Sequence, residues 1–227
     1  MLNTHRLHRR TALCNSRGGF TLVELLVVIG IIAILAGVAL GPITSGIKKA
    51  QQSAGVQTSR TIALAEFQYS NDNNQIYPFG ADAGKVADVL VAGNYIQDPG
   101  IFIISGASLE TKYTGAAANP AYTKTNVSWD FGQTSATAGL TPNAPDQTPL
   151  VVSTSGIDWS SGMNAAGPVT FTITNSAAPF GLNGVAVCFK SNSAKFILSS
   201  TATPGLVQLE DQSWQAGTAM AAALGGG

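Results

Sequence analysis

The sequence predicts an α+β fold in which one long N-terminal helix packs on a small antiparallel β-sheet head. Three observations carry this reading. Residues 20–41 form an apolar run with a single charge, Glu24. Apolar residues then recur at steps of three and four as far as Tyr69, the mark of an amphipathic helix. From Tyr77 onward the chain turns to short apolar runs broken by Gly, Pro, Asn and Ser, the pattern of strands and turns.

Charge is sparse, 11% of 227 residues, against roughly 25% in soluble domains. The formal net charge is zero and the pI is near 6.7, so no clustered basic excess marks a nucleic-acid binder. The zero is a sum of unlike parts. Residues 1–19 hold Arg6, Arg9, Arg10 and Arg17 and no acid, so their removal would leave eight bases against twelve acids, a net of −4.

The apolar run, 22 residues long, would span about 33 Å as a helix, enough to cross a bilayer's hydrocarbon core. Basic residues precede it and none follows until Lys48, which predicts a cytoplasmic N-terminus and an exported body. A secretory signal peptide has a shorter core with a small-residue cut after it. A plain single-pass anchor leaves Gly18-Gly19 and the acid Glu24 unexplained.

Gly19-Phe20-Thr21-Leu22-Val23-Glu24, behind the basic leader and opening the apolar run, resembles the class III signal of type IV pilins and type II secretion pseudopilins. The resemblance is specific over about residues 17–42 and weakens beyond. It implies a pilin-like fold, cleavage by a membrane prepilin peptidase between Gly19 and Phe20, and N-methylation of Phe20. Such a cut removes the polar leader and leaves the hydrophobic helix on the mature chain, ready to join a helical bundle.

Glu24 lies one helical turn after Phe20. In a low-dielectric bundle its carboxylate would attract the N-terminal amine of a neighbouring subunit and so set axial register; alternatively it reaches the headgroup region unpaired. Gly37 and Gly41 form a GxxxG spacing that permits close helix approach. Pro42 should weaken the helix, because it lacks the amide hydrogen and crowds the preceding turn.

Beyond Pro42 the apolar positions Ile43, Ile47, Ala50, Ala54, Ile62, Ala65 and Tyr69 give the helix a core-facing stripe. The turn-rich Asn71-Asp72-Asn73-Asn74 should end it. A rod over residues 21–70 would be roughly 75 Å long, half of it bare and half faced by a head. A short helix is expected over Lys85–Val91. Strands are expected at 101–104, 127–131, 150–153, 169–174, 185–189 and 195–198, with a hairpin at Ser191-Asn192-Ser193. The predicted divisions are a leader (1–19), membrane or filament-core helix (20–41), amphipathic continuation (42–72), β-rich head (73–218) and disordered tail (219–227).

Candidate chemistry is thin. His5, His8 and Cys14 all lie in the leader, so the processed chain would lack the histidine of a hydrolytic triad, a Cys-His pair or most zinc sites. Cys188 would stand alone, as a small core residue. Trp129, Trp159 and Trp214 are either core residues or a ligand surface. Some heads of the resembled family bind calcium in a late loop; here the candidates Asp146, Asp158, Glu210 and Asp211 lack the dense spacing of a recognisable calcium loop. No enzyme and no cofactor is expected.

The resulting expectation is a structural subunit, a pseudopilin of a type II secretion filament. Its variant is a type IV pilin of a surface fibre for adhesion, motility or DNA uptake. A third possibility is a non-polymerising, membrane-anchored ligand-binding domain. Tyr77-Pro78 after the helix leans towards the pseudopilin. Expected partners are further copies of the chain, other pilin-like subunits, the prepilin peptidase, an inner-membrane assembly platform, and membrane lipid before assembly.

Overall fold

A computed structural model describes residues 19–104, 113–115, 120–153, 169–173, 178–209 and 219–221. The chain divides into two compact units, Met1–Ser45 and Gly46–Gly227.

Helix α1 runs over Leu22–Asp72, 51 residues, continuous through Pro42. The expected weakening at Pro42 does not interrupt it. The proline withholds one amide from the ladder, and hydroxyls crowd the same turn: Thr44 Oγ1 donates to the Gly41 carbonyl and Ser45 Oγ to the Pro42 carbonyl, each at 2.9 Å. At the far end Asn74 and Gln75 take left-handed backbone angles, φ 56° and 63°. The Gln75 amide donates to the Ser70 carbonyl at 2.7 Å and Asn73 Nδ2 to the Tyr69 carbonyl at 2.8 Å, which satisfies carbonyls a helix end leaves orphaned.

In the second unit the helix buries Gly55, Ser59, Ile62, Ala63, Ala65, Glu66 and Ser70. This shortens the expected stripe: Ile43, Ile47, Ala50 and Ala54 are exposed, and the buried seam begins at Gly55 and keeps Ile62 and Ala65. Gly55 opens the seam. A Cβ there would stand 2.5 Å from Cζ of Phe180, so the bare backbone admits the aromatic ring.

Helix α2, Ala83–Ala92, starts at Asp82, whose Oδ1 accepts from the Lys85 amide at 3.0 Å. It ends where the Gly93 amide donates to the Val89 carbonyl. Its apolar face, Val86, Ala87, Leu90 and Val91, joins Ile62 and Ala63 of α1 in one core. The expected strand at 101–104 is instead a 3₁₀ turn over Pro99–Phe102. Asp98 Oδ1 accepts from the Gly100 amide at 2.8 Å, and this Asp-Pro start favours a tight turn over extension.

Among the described residues eight strands follow: β1 (Trp129–Ser135), β2 (Ala138–Gly139), β3 (Pro149–Ser153), β4 (Val169–Thr172), β5 (Gly184–Phe189), β6 (Ala194–Leu198), β7 (Leu206–Leu209) and β8 (Ala219–Ala221). The main sheet has the order β2-β1-β3-β5-β6 with β8 also on β1, and β4-β7 form a separate ribbon; every pairing is antiparallel. The expected hairpin at 191–193 joins β5 to β6, with Asn192 at φ 60°. Strand β1 starts two residues later than expected and runs to Ser135. The tail expected to be disordered from 219 contributes β8, in register Phe131↔Ala221; residues 222–227 lie outside the described residues.

Strands β3 and β5 are buried at every position. Val151 and Cys188, paired across them, face the helices, whereas Val152 and Val187 join Phe171, Ile173 and Val207 of the β4-β7 side. The sheet is therefore covered on both faces, which is why these strands read as continuous apolar runs rather than alternating ones.

Candidate processing and assembly site

The residues expected to carry processing and assembly open α1. Gly19 and Phe20 are exposed, Phe20 at 77%. Thr21 is the cap. Its Oγ1 accepts from the Glu24 amide at 3.3 Å, while Glu24 Oε2 accepts from the Thr21 amide at 2.8 Å and from the Thr21 hydroxyl at 2.7 Å. This reciprocal arrangement is a capping box, which satisfies two of the amides a helix start leaves open. The charge of Glu24 stands out in the sequence, whereas its partner is Thr21: Thr-x-x-Glu before an apolar run is the local signal for such a cap.

From Leu22 to Leu40 the large apolar side chains are exposed, and the helix is long and apolar enough to cross a membrane. A Cβ added at Gly30, Gly37 or Gly41 would meet nothing within 4 Å. Each glycine costs a helix interior about 1 kcal/mol relative to alanine, with no contact inside the described chain to require it.

Of the acidic residues considered for calcium, Asp146 is described; Asp158, Glu210 and Asp211 lie outside the described residues. The Asp146 side chain is 80% exposed, and its Oδ1 lies 3.9 Å from Lys190 Nζ. That ammonium also donates to the Pro142 and Ala144 carbonyls at 2.7 Å each. A lysine thus already supplies the positive charge beside Asp146. Among the described residues no group of three or more His, Cys, Asp or Glu is placed to hold a metal ion.

Trp129 is fully buried, its indole N–H donating to the Ile101 carbonyl at 3.3 Å, so it is a core residue and no ligand surface. Trp159 and Trp214 lie outside the described residues. Cys188 is fully buried and burial pushes its thiol up to about 12, a structural cysteine rather than a nucleophile. Glu66, which the sequence reading did not single out, is buried on the helix seam.

A family model described as the prokaryotic N-terminal methylation motif matches residues 14–40. No curated protein and no solved structure matches the chain. The motif is characteristic of the prepilin-type signals of type IV pilins and pseudopilins, and implies processing by prepilin peptidase and assembly with other pilin subunits. The exposed apolar helix and this signal fit membrane anchoring followed by a place in a filament. Residues 14–40 thus carry a prepilin-type methylation signal, which supports a type IV pilin-like or pseudopilin protein and points to a structural role.

Proposed function

We propose that the chain is a pseudopilin, a structural subunit of a type II secretion filament. The observation that supports a filament subunit is the order of features at residues 19–41, and Tyr77-Pro78 after the helix leans the reading towards the pseudopilin. An exposed Gly19-Phe20 junction precedes the Thr21–Glu24 cap, and that cap opens an apolar helix whose side chains and glycines stand free. In this reading prepilin peptidase cuts between Gly19 and Phe20 and the new Phe20 amine is methylated. The chain waits in the inner membrane with its head exported, and the apolar helix moves from lipid into a bundle of like helices.

Glu24 then has two tasks. One carboxylate oxygen caps its own helix, and the other is available to the Phe20 amine of a neighbouring subunit, where low dielectric strengthens the attraction. Gly37 and Gly41 let helices approach closely, and Pro42 marks the end of the segment that packs in the bundle.

Mass spectrometry of the mature N-terminus, with electron microscopy of sheared cell-surface fractions, tests this. A methylated Phe20 and no long surface fibre is expected. A chain starting at Met1 removes the reading altogether. Long fibres containing the chain would instead assign it to a type IV pilus.

A further inference from the structure

Glu66 sits on the buried stripe of α1, 1% exposed, and neither Oε1 nor Oε2 has a hydrogen-bond partner among the described residues. Polar groups on the same stripe and on β5 bond elsewhere. Ser59 and Ser70, before and after it on the same stripe, donate to the Val56 and Phe67 carbonyls at 2.8 Å each. The Cys188 thiol of β5 donates to the Phe189 carbonyl.

Among the described residues the Glu66 carboxylate acts on Tyr77, just after α1, and on Cys188 of β5. Asp146 acts on Tyr77, and Arg60 acts on Cys188. Neither Tyr77 nor Cys188 is a cation, and no ion pair joins Arg60 to Glu66. A carboxylate stripped of water with no counter-charge is far costlier than the neutral acid, and burial pushes the Glu66 carboxyl well above its usual range.

We propose that Glu66 makes the seating of the β-sheet on α1 proton-dependent: the head closes over a neutral carboxylic acid, and ionisation of that acid loosens the seam. The direction follows from linkage. In the unfolded chain the group titrates near its ordinary 4.5. Below that pH both states hold the proton and nothing is lost. Above it the unfolded chain releases the proton and the folded chain keeps it, so stability falls as pH rises. The loss is about tenfold in the folding constant per pH unit, and it stops once Glu66 ionises in place. The inference concerns the head alone and stands whichever filament the chain enters.

The test is urea unfolding of the full-length chain in detergent micelles, followed by tryptophan fluorescence, over about pH 5 to pH 8. The ratio of folding constants, Glu66→Gln over wild type, is expected to rise about tenfold per pH unit until the native acid ionises. Parallel profiles for the two proteins would overturn the proposal. Should Glu66→Gln fail to fold, the wild type itself decides. Carboxyl ¹³C resonances of its four glutamates are expected to include one still protonated at neutral pH, and four ionised glutamates in the folded chain would overturn the proposal.

Discussion

Lys190 reaches back from the end of β5 to set its Nζ 2.7 Å from the Ala144 carbonyl oxygen, and as close again to that of Pro142. The side chain is only 13% exposed, so these are charge-assisted bonds with limited access to water. They tie the 142–146 loop to the β5-β6 hairpin, where the Ser191 amide also donates to the Asp146 carbonyl at 2.9 Å. Lys190→Met keeps the stem and removes the ammonium. It should cost about 2 kcal/mol, the range for hydrogen bonds to a charged group, read as a lower urea midpoint. Asp146→Asn should cost less than about 1 kcal/mol, because that carboxylate is exposed and its partner is 3.9 Å away.

Asp88 holds α2 to the segment that follows. Its Oδ1 accepts from the Tyr122 amide at 2.5 Å and its Oδ2 from Lys85 Nζ at 2.9 Å. The first bond anchors a core aromatic: Tyr122 stacks on Tyr113 at 4.1 Å and meets the edge of Phe102. The second belongs to a lysine that is 56% exposed. Asp88→Ala should therefore cost about 1–3 kcal/mol, and Lys85→Ala clearly less, because its ion pair is solvent-screened. Equal losses in thermal or urea unfolding would show that the ion pair, not the amide bond, matters at this position.

Burial of Cys188, with its thiol pushed up to about 12, makes a reactivity prediction. Thiolate is the species that alkylates, and it is scarce at neutral pH for such a group. In a Cys14→Ser chain, iodoacetamide should leave the folded protein unlabelled and modify Cys188 readily in urea. Rapid labelling of the native chain would mean that β5 does not pack against the helices as described.

The outline of the fold was legible where the local signal and the tertiary outcome agree. The steps of three and four up to Tyr69 gave α1, and the β5-β6 hairpin was visible in its Ser-Asn-Ser turn. The misses have physical causes. Ile101-Phe102-Ile103-Ile104 has the composition of a strand, but Asp98-Pro99 starts a 3₁₀ turn through it. The buried stripe starts later than the apolar pattern suggests, at Gly55 and Ser59, neither apolar; there small size matters more than hydrophobicity, with Phe180 packed against Gly55. Glu66 was overlooked because a charged residue normally marks the solvent side, although its place four after Ile62 put it on the buried face. At the candidate site the charge of Glu24 was legible and its capping role was not, because Thr21 was read only as part of a cleavage motif.

That double role of Glu24 can be separated, because glutamine also completes a capping box. Glu24→Gln keeps the bonds to Thr21 and removes the charge. Thr21→Ala keeps the charge and removes the cap, at a cost of about 1 kcal/mol to the helix start. If attraction to a neighbouring subunit's amine drives assembly, Glu24→Gln should still be cut after Gly19 yet be lost from sheared filament fractions, while Thr21→Ala should be recovered at near-normal levels. If helix capping alone is what Glu24 provides, the order reverses: Glu24→Gln assembles and Thr21→Ala is depleted. Quantifying both chains in the membrane and filament fractions, with the mature N-terminus checked by mass spectrometry, distinguishes the two. The expected result is the first, because a cap worth about 1 kcal/mol adds little to a long apolar helix already stabilised by its surroundings, whereas Glu24→Gln would leave the neighbouring subunit's Phe20 ammonium unpaired inside an apolar bundle.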